Sequence, residues 1–287
     1  MTEKHASREN PLPGAFIKLN GLNIHTVRMG QGSPLLFLHG LPTSSYLWRN
    51  VQRPLSASFQ TIAPDLMGLG KSDSPTEGPL GLPEQANMIL ALMNHLELER
   101  VVLVAHEIGG GAAQILTANH PERVRGLVLL DTVALAEYWP VGLVRFLRLP
   151  LAGSSLPKIP ASVLRFKLRG FIKKGLFHKE LLTETMFAEY SDIFMDEQKR
   201  PALLRMIRSF DPRGLQEAGD RLKTIRMPKL FLWADNDAYL PLESGQKFFD
   251  GFPSGKFVHV SKAGHFLPED QPDRVVNEIK TFLSGLR

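Results

Sequence analysis

The chain has 287 residues, 43% hydrophobic and 22% charged, so it can bury a sizeable core and lacks the composition of a disordered protein. Its net charge of +5, from 34 Lys+Arg against 29 Asp+Glu, is too mild for a nucleic-acid footprint, and the absence of cysteine excludes disulfides, thiolate metal sites and a Cys nucleophile. The opening MTEKHASRENPLPGAF has no apolar core and no run approaches the ~18 apolar residues of a membrane span, so neither a secretory signal nor a span is expected, and the expected location is the cytoplasm.

In chain order, AFIKLNGLNIHTVRMG reads as two short strands joined by Asn20-Gly21, a strong hairpin signal. SPLLFLHG, ending at Gly40, is a continuous apolar run of the kind buried on both faces of a parallel sheet, and FQTIAPDLMGLG repeats it. The helical stretch PEQANMILALMNHLEL leads to RVVLVAHE, then to the helix GGAAQILTANHP and the strand RGLVLLD. Much later come PKLFLWAD, a helix around Glu243 to Phe252, KFVHV and a closing helix from Asp273 to Leu286. Strands alternating with helices predict right-handed crossovers and a mostly parallel, doubly wound α/β sheet with its functional groups at the carboxyl ends of the strands. Between roughly Ala134 and Gln216 that rhythm stops. Amphipathic segments take over: VGLVRFLRLPL, PASVLRFKLRGFIKKGLF, KELLTETMFAEYSDIF and RPALLRMIRSF, with breaks at Pro150, Pro157 and Pro160. A helical cap at 134–216 inserted into a core of 1–133 and 217–287 is therefore expected.

One turn stands out. Ala105-His106-Glu107-Ile108-Gly109 lies between an apolar strand and a helix, the outline of a nucleophile elbow, where Ser is usual and Asp or Cys are known variants. Such a turn lifts one side chain above the sheet and needs small neighbours, which Ala105 and Gly109 supply. The helix N-terminus behind it favours an anion. Taken alone, the turn fits equally an acidic residue opening a surface helix. Two further strand ends tip the balance: LWADNDAYLP carries Asp237 and VSKAGHFLPEDQP carries His265, giving the chain order elbow residue, acid, histidine. His265 is expected to take a proton from water or a hydroxyl, with Asp237 fixing its tautomer. Asp235 and Asp131 compete for the acid's role, and Asp237 is favoured. FLHGLPTSSYLW follows a buried strand where an oxyanion loop belongs, so the backbone N–H groups of Leu41 and Ile108 are the expected donors. His39 and His106 read as buried histidines bonded to backbone.

These residues resemble the α/β-hydrolase superfamily over nearly the whole chain outside the cap. HGLPTSSYLWRNV, APDLMGLGKSD, HPERV and GHFLPEDQPD are similar to the haloalkane dehalogenase and epoxide hydrolase branch. The resemblance implies the α/β-hydrolase fold with a cap and no cofactor. It also implies an elbow carboxylate that attacks carbon to form an ester, which His-activated water hydrolyses. Glu107 occupies the aspartate's place with one extra methylene, worth ~1.5 Å, when ~1 Å of misplacement can cost on the order of 100-fold. It therefore reads as a nucleophile in a reshaped pocket, as a general base, or as a substitution that cripples an aspartate enzyme. Dehalogenases carry Asn and Trp where Leu41 and Ile108 stand, and neither side chain here can donate to a halide. Epoxide hydrolases keep the His-Gly-x-Pro turn and use cap tyrosines to protonate the ring oxygen, which points to Tyr138 and Tyr190. His39, Trp48, Tyr138, Tyr190 and Asp131 complete the candidate substrate-contacting set.

From Arg145 to Lys179 the cap carries nine basic residues and no acid. Such a surface suits an anionic substrate, a membrane surface or an acidic partner. The favoured reading is a solvated outer face on helices whose apolar side covers the site. GLGKSD lacks the spacing of a phosphate loop. The expectation is thus a hydrolase, monomeric or homodimeric, for a small and mostly apolar electrophile, an epoxide or ester ahead of a haloalkane. Its competitor is a ligand-binding homologue that no longer turns substrate over.

Overall fold

A computed structural model describes residues 10–134 and 159–286. Eight strands form one sheet in the order β1-β2-β4-β3-β5-β6-β7-β8: β1 (Gly14–Leu19), β2 (Leu22–Met29), β3 (Pro34–Leu38), β4 (Gln60–Pro64), β5 (Val101–His106), β6 (Val124–Thr132), β7 (Lys229–Ala234) and β8 (Lys256–Val260). β2 is antiparallel to both β1 and β4, and from β4 to β8 along the sheet every pairing is parallel. The Asn20-Gly21 turn forms as its sequence predicts, with both residues at positive φ, 50° and 87°, and Leu19 paired to Leu22. Central strands are buried on both faces, and all six residues of β5 are inaccessible, which is why that run shows no alternation.

Helices flank the sheet. They are α1 (Arg49–Leu55), α2 (Leu82–His95), α3 (Glu107–Asn119), α4 (Ala161–Gly175), α5 (Glu184–Met195), α6 (Arg200–Ser209), α7 (Pro212–Thr224), α8 (Leu242–Phe249), α9 (Leu267–Asp270) and α10 (Pro272–Ser284). The segment VGLVRFLRLPL, Tyr138, Arg145, Arg148, Lys158 and the breaks at Pro150 and Pro157 lie outside the described residues. The other three amphipathic segments form helices, with one boundary moved. KELLTETMFAEYSDIF starts its helix only at Glu184, because the Thr183 side chain accepts from Met186 N–H and caps the helix there. Helix α7 is missing from the sequence reading and runs across residue 216. Its signal was present: Asp211 caps by accepting from Arg213 N–H, and Pro212 sits at the first helical position. It packs against α3.

A buried polar cluster ties α1, α5 and the segment after β8 together. Arg49 donates to both carboxylate oxygens of Glu269, at 2.6 and 2.9 Å, and Tyr190 Oη donates to the same carboxylate at 2.5 Å. The guanidinium lies 3.7 Å from the Tyr46 ring centroid. Removing one member of such a buried pair leaves a desolvated charge, so Glu269→Leu is expected to destabilise the fold by about 3–5 kcal/mol. The double variant Arg49→Met/Glu269→Leu is expected to recover most of that loss in chemical denaturation. A single-variant cost below ~1 kcal/mol would show that the pair is not an energetic clamp.

Candidate active site

Three strand ends build the site. At the end of β5 the chain turns sharply into α3, with Glu107 at φ 50°. A non-glycine residue in that region is strained, at a cost of order 1–3 kcal/mol, and persists only where its surroundings over-determine it. The surroundings are tight. A Cβ at Gly109 would lie 2.3 Å from His39 O, and one at Gly40 would lie 2.5 Å from Glu107 Cβ and 2.6 Å from Glu107 Oε2. Both glycines are therefore obligatory for the approach of the loop after β3 to the elbow.

That approach brings Leu41 N–H to Glu107 Oε2 at 2.8 Å, with a second contribution from the Ile108 N–H. One of the two donors expected to form an oxyanion hole, Leu41 N–H, thus holds an oxygen of the elbow residue itself. Burial pushes the Glu107 carboxyl above its ordinary range, and the nearby His265 charge and the two N–H groups offset only part of that. The Glu107 backbone is held as well: its carbonyl accepts from Thr132 Oγ1 and from Val133 N–H.

His265 lies in the loop after β8, its Nδ1 donating to Asp237 Oδ2 at 2.8 Å. Asp237 Oδ1 accepts from Tyr239 N–H and Leu240 N–H at 2.7 and 2.9 Å, so the carboxylate is fixed on both oxygens. With Nδ1–H committed, Nε2 is the basic nitrogen. Burial alone would lower the pKa of His265, but the Asp237 charge and hydrogen bond, with Glu107 adding, raise it above its ordinary value. The other two acids stand elsewhere. Asp235 faces His259 at the surface. Asp131, at φ 36°, accepts from Ala234 N–H through Oδ1, while its buried Oδ2 has no partner among the described residues. Burial and the Asp237 charge push its carboxyl well above its ordinary value, which disfavours its charged form.

The remaining candidates are bound up in the structure. His39 is buried, its Nε2 accepting from Leu66 N–H and its Nδ1 meeting Gly40 O. His106 gives its Nε2–H to His265 O at 2.8 Å, and its ring lies 4.9 Å from that of His265. Burial and the proximity of His265 hold it well below its ordinary pKa, so it steers the backbone of His265 without carrying charge. Trp48 is fully buried against Phe37. Tyr190 has committed its hydroxyl to Glu269, and burial with that carboxylate raises its pKa well above the ordinary value. Tyr138 lies outside the described residues. Sequence reasoning missed Tyr239, whose ring meets His265 edge-on at 5.2 Å and whose hydroxyl donates to Phe171 O in α4 at 2.6 Å. It also missed Asp270, which accepts from Gly264, Phe177 and His178 N–H groups and so joins the His265 loop to the end of α4. Only nearness to the motif residues marked them.

The two acids give a discriminating experiment. Asp237→Asn is expected to lower kcat by on the order of 1,000-fold or more, whereas Asp131→Asn, the amide isostere of an acid whose charged form burial disfavours, is expected to change it by no more than about threefold. His265 must be neutral to act as a base, so activity is lost as pH falls through a limb above the ordinary ~6.5. In Asp237→Asn the residual limb moves to lower pH. A collapse of activity in Asp131→Asn would reverse the assignment.

Residues 33–272 match the family described as alpha/beta hydrolase fold. A haloalkane dehalogenase of Sphingobium indicum is 30% identical, covering 95% of this chain and 95% of its own length. A soluble epoxide hydrolase of Corynebacterium sp. strain C12 is 27% identical, covering 94% of this chain and 96% of its own. The solved structure of an alpha/beta hydrolase fold protein from Burkholderia ambifaria superposes with a TM-score of 0.83 at 26% identity, over 92% of this chain and 96% of that one. The sheet order, the strained turn after β5 and these matches agree: the chain belongs to the alpha/beta hydrolase family and is an enzyme of that kind.

Proposed function

We propose that the protein hydrolyses a small, mostly apolar electrophile by attack of Glu107 at saturated carbon, with an epoxide as the preferred substrate class and no cofactor. In the first step Glu107 Oε1 bonds to a ring carbon and the C–O bond breaks. The ring oxygen leaves as an alkoxide that takes up a proton, with Tyr138 the proposed donor because the Tyr190 hydroxyl is committed to Glu269. In the second step His265 Nε2 removes a proton from water, and the hydroxide adds to the glutamyl ester carbonyl. Collapse of that adduct releases the diol as His265 returns its proton to the leaving alkoxide, and the proton left on the Glu107 carboxyl passes to the Tyr138 phenolate, which restores both groups.

The observation that carries this reading is the hydrogen bond from Leu41 N–H to Glu107 Oε2. It keeps the carboxylate anchored despite the extra methylene, and it puts the oxyanion donors where the ester's own carbonyl oxygen would become negative. A substrate acyl group would need that same hole for its oxyanion, and a missing donor there costs about 100- to 1,000-fold. Carboxylic esters are therefore disfavoured relative to epoxides. A departing halide would lack two side-chain donors at Leu41 and Ile108. At roughly 1.5–3 kcal/mol for each hydrogen bond to a charge, the loss is on the order of 100- to 10,000-fold. The dehalogenase relative supports the carboxylate mechanism more than its leaving group.

Intact-mass measurement of His265→Ala after incubation with a series of terminal and internal epoxides tests the scheme. A covalent adduct of epoxide mass is expected to accumulate there and to be absent from Glu107→Gln. Multiple wild-type turnovers in H2(18)O are expected to place label in Glu107. Turnover that leaves no label would make Glu107 a general base, and tight binding without adduct or product would make the protein a binding homologue. Glu107→Asp is expected to lose about 100-fold, since shortening the side chain withdraws the attacking oxygen. A large gain would instead identify the glutamate as an impairing substitution.

A further inference from the structure

Helix α4 has two unlike sides. Leu164, Leu168 and Ile172 are buried, as the sequence predicts for a helix covering the site. The opposite stripe, at spacings of three and four, is Val163, Phe166, Lys167, Gly170, Lys173 and Lys174, and continues to Phe177 just past the helix end. The sequence reading of this segment favours a solvated outer face, and that solvated face carries apolar as well as basic side chains. Phe166 is 83% exposed, and Val163 and Phe177 are also exposed, making three of the four large exposed hydrophobics among the described residues. Gly170 interrupts the stripe with open space around it.

The charge on this face has one sign. From 161 to 179 there is no Asp or Glu. Arg165 and Arg169 both bond to Glu184 at the helix flank, and Lys179 turns inward to the carbonyls of Lys174 and Leu176. What faces outward is Lys167, Lys173 and Lys174 around Phe166 and Phe177, with Lys174 also above the Tyr239 ring at 5.7 Å. Aromatic residues amid lysines on one helical face is the pattern of an interfacial helix. Pairing this stripe with its copy across a two-fold axis would bring like charges together, which disfavours self-association.

We propose that the outer face of α4 docks on an anionic lipid bilayer surface, with Phe166 and Phe177 entering the headgroup region and Lys167, Lys173 and Lys174 meeting lipid phosphates. The face is joined rigidly to the His265 loop, since Phe266 N–H donates to Gly175 O and Asp270 accepts from both Phe177 and His178. Docking would hold the catalytic loop near the bilayer and give access to apolar molecules dissolved in lipid. The binding itself does not depend on which reaction the site performs.

Co-sedimentation of the full chain with sucrose-loaded vesicles tests the proposal. Binding to phosphatidylglycerol-rich vesicles at low salt is expected, with little binding to pure phosphatidylcholine and release as salt rises. Each Lys→Gln change at 167, 173 or 174 is expected to weaken partitioning about fivefold, and Phe166→Ser to weaken it at least as much. These side chains are exposed, so the variants are expected to keep the wild-type thermal unfolding curve. Absence of wild-type binding, equal binding by the triple Lys→Gln variant, or self-association lost in Phe166→Ser without any lipid binding would each overturn the proposal.

Discussion

The site depends on one close approach. The loop after β3 meets the turn after β5 so tightly that only glycine fits at 40 and 109, and the reward is a 2.8 Å hydrogen bond from Leu41 N–H to Glu107 Oε2. Two adjacent parallel strands, β3 and β5, set that approach through their register, Leu38 opposite Ala105. Positive φ at Glu107 stores strain of order 1–3 kcal/mol, and the buried strands on either side hold it there. The register of the sheet and the position of the carboxylate are thus one constraint. A slip of β3 would move the N–H away from the oxygen and leave a buried carboxylate without its donor.

Electrostatics then decides which acid serves the histidine. Asp131 and Asp237 lie at the ends of neighbouring strands, close enough that the Asp237 charge opposes ionisation of Asp131. Asp237 gains two backbone N–H groups and the imidazole, whereas Asp131 gains one N–H and leaves an oxygen unpartnered in a buried place. Burial and the neighbouring Asp237 charge therefore disfavour the ionised form of Asp131. Strand position alone does not separate the two residues; the number of donors does.

That difference explains what was legible in the sequence. Asn20-Gly21, the continuous apolar strands, the small residues around Glu107 and the order of Glu107, Asp237 and His265 are local or periodic signals, and each has its counterpart in the structure. Helix α7 is signalled only locally, by the Asp211 cap and Pro212 at its first turn, and its position across the end of the cap region comes from packing on α3. Tyr239, Asp270 and the Arg49–Glu269–Tyr190 cluster were not legible, because their roles come from contacts between segments up to 220 residues apart. The exposure of Phe166 was equally hidden. Helical periodicity shows which residues share a face, and only packing shows which of two apolar edges is covered.

The same contacts bear on why a glutamate can stand at the elbow. A longer side chain gains reach but also rotamer freedom, and a free carboxylate would sample positions far wider than the ~1 Å that separates productive from unproductive attack. Anchoring Oε2 through the Leu41 N–H restricts that freedom, and in the proposed chemistry it leaves Oε1 as the attacking oxygen. Burial meanwhile raises the carboxyl's pKa, which makes the carboxylate a stronger nucleophile once it is ionised, and His265 and the two N–H groups limit how far that rise goes. In the proposed chemistry the extra methylene is therefore tolerated only while the hole is occupied by the enzyme's own oxygen. That chemistry would confine the site to electrophiles that do not need the hole for themselves.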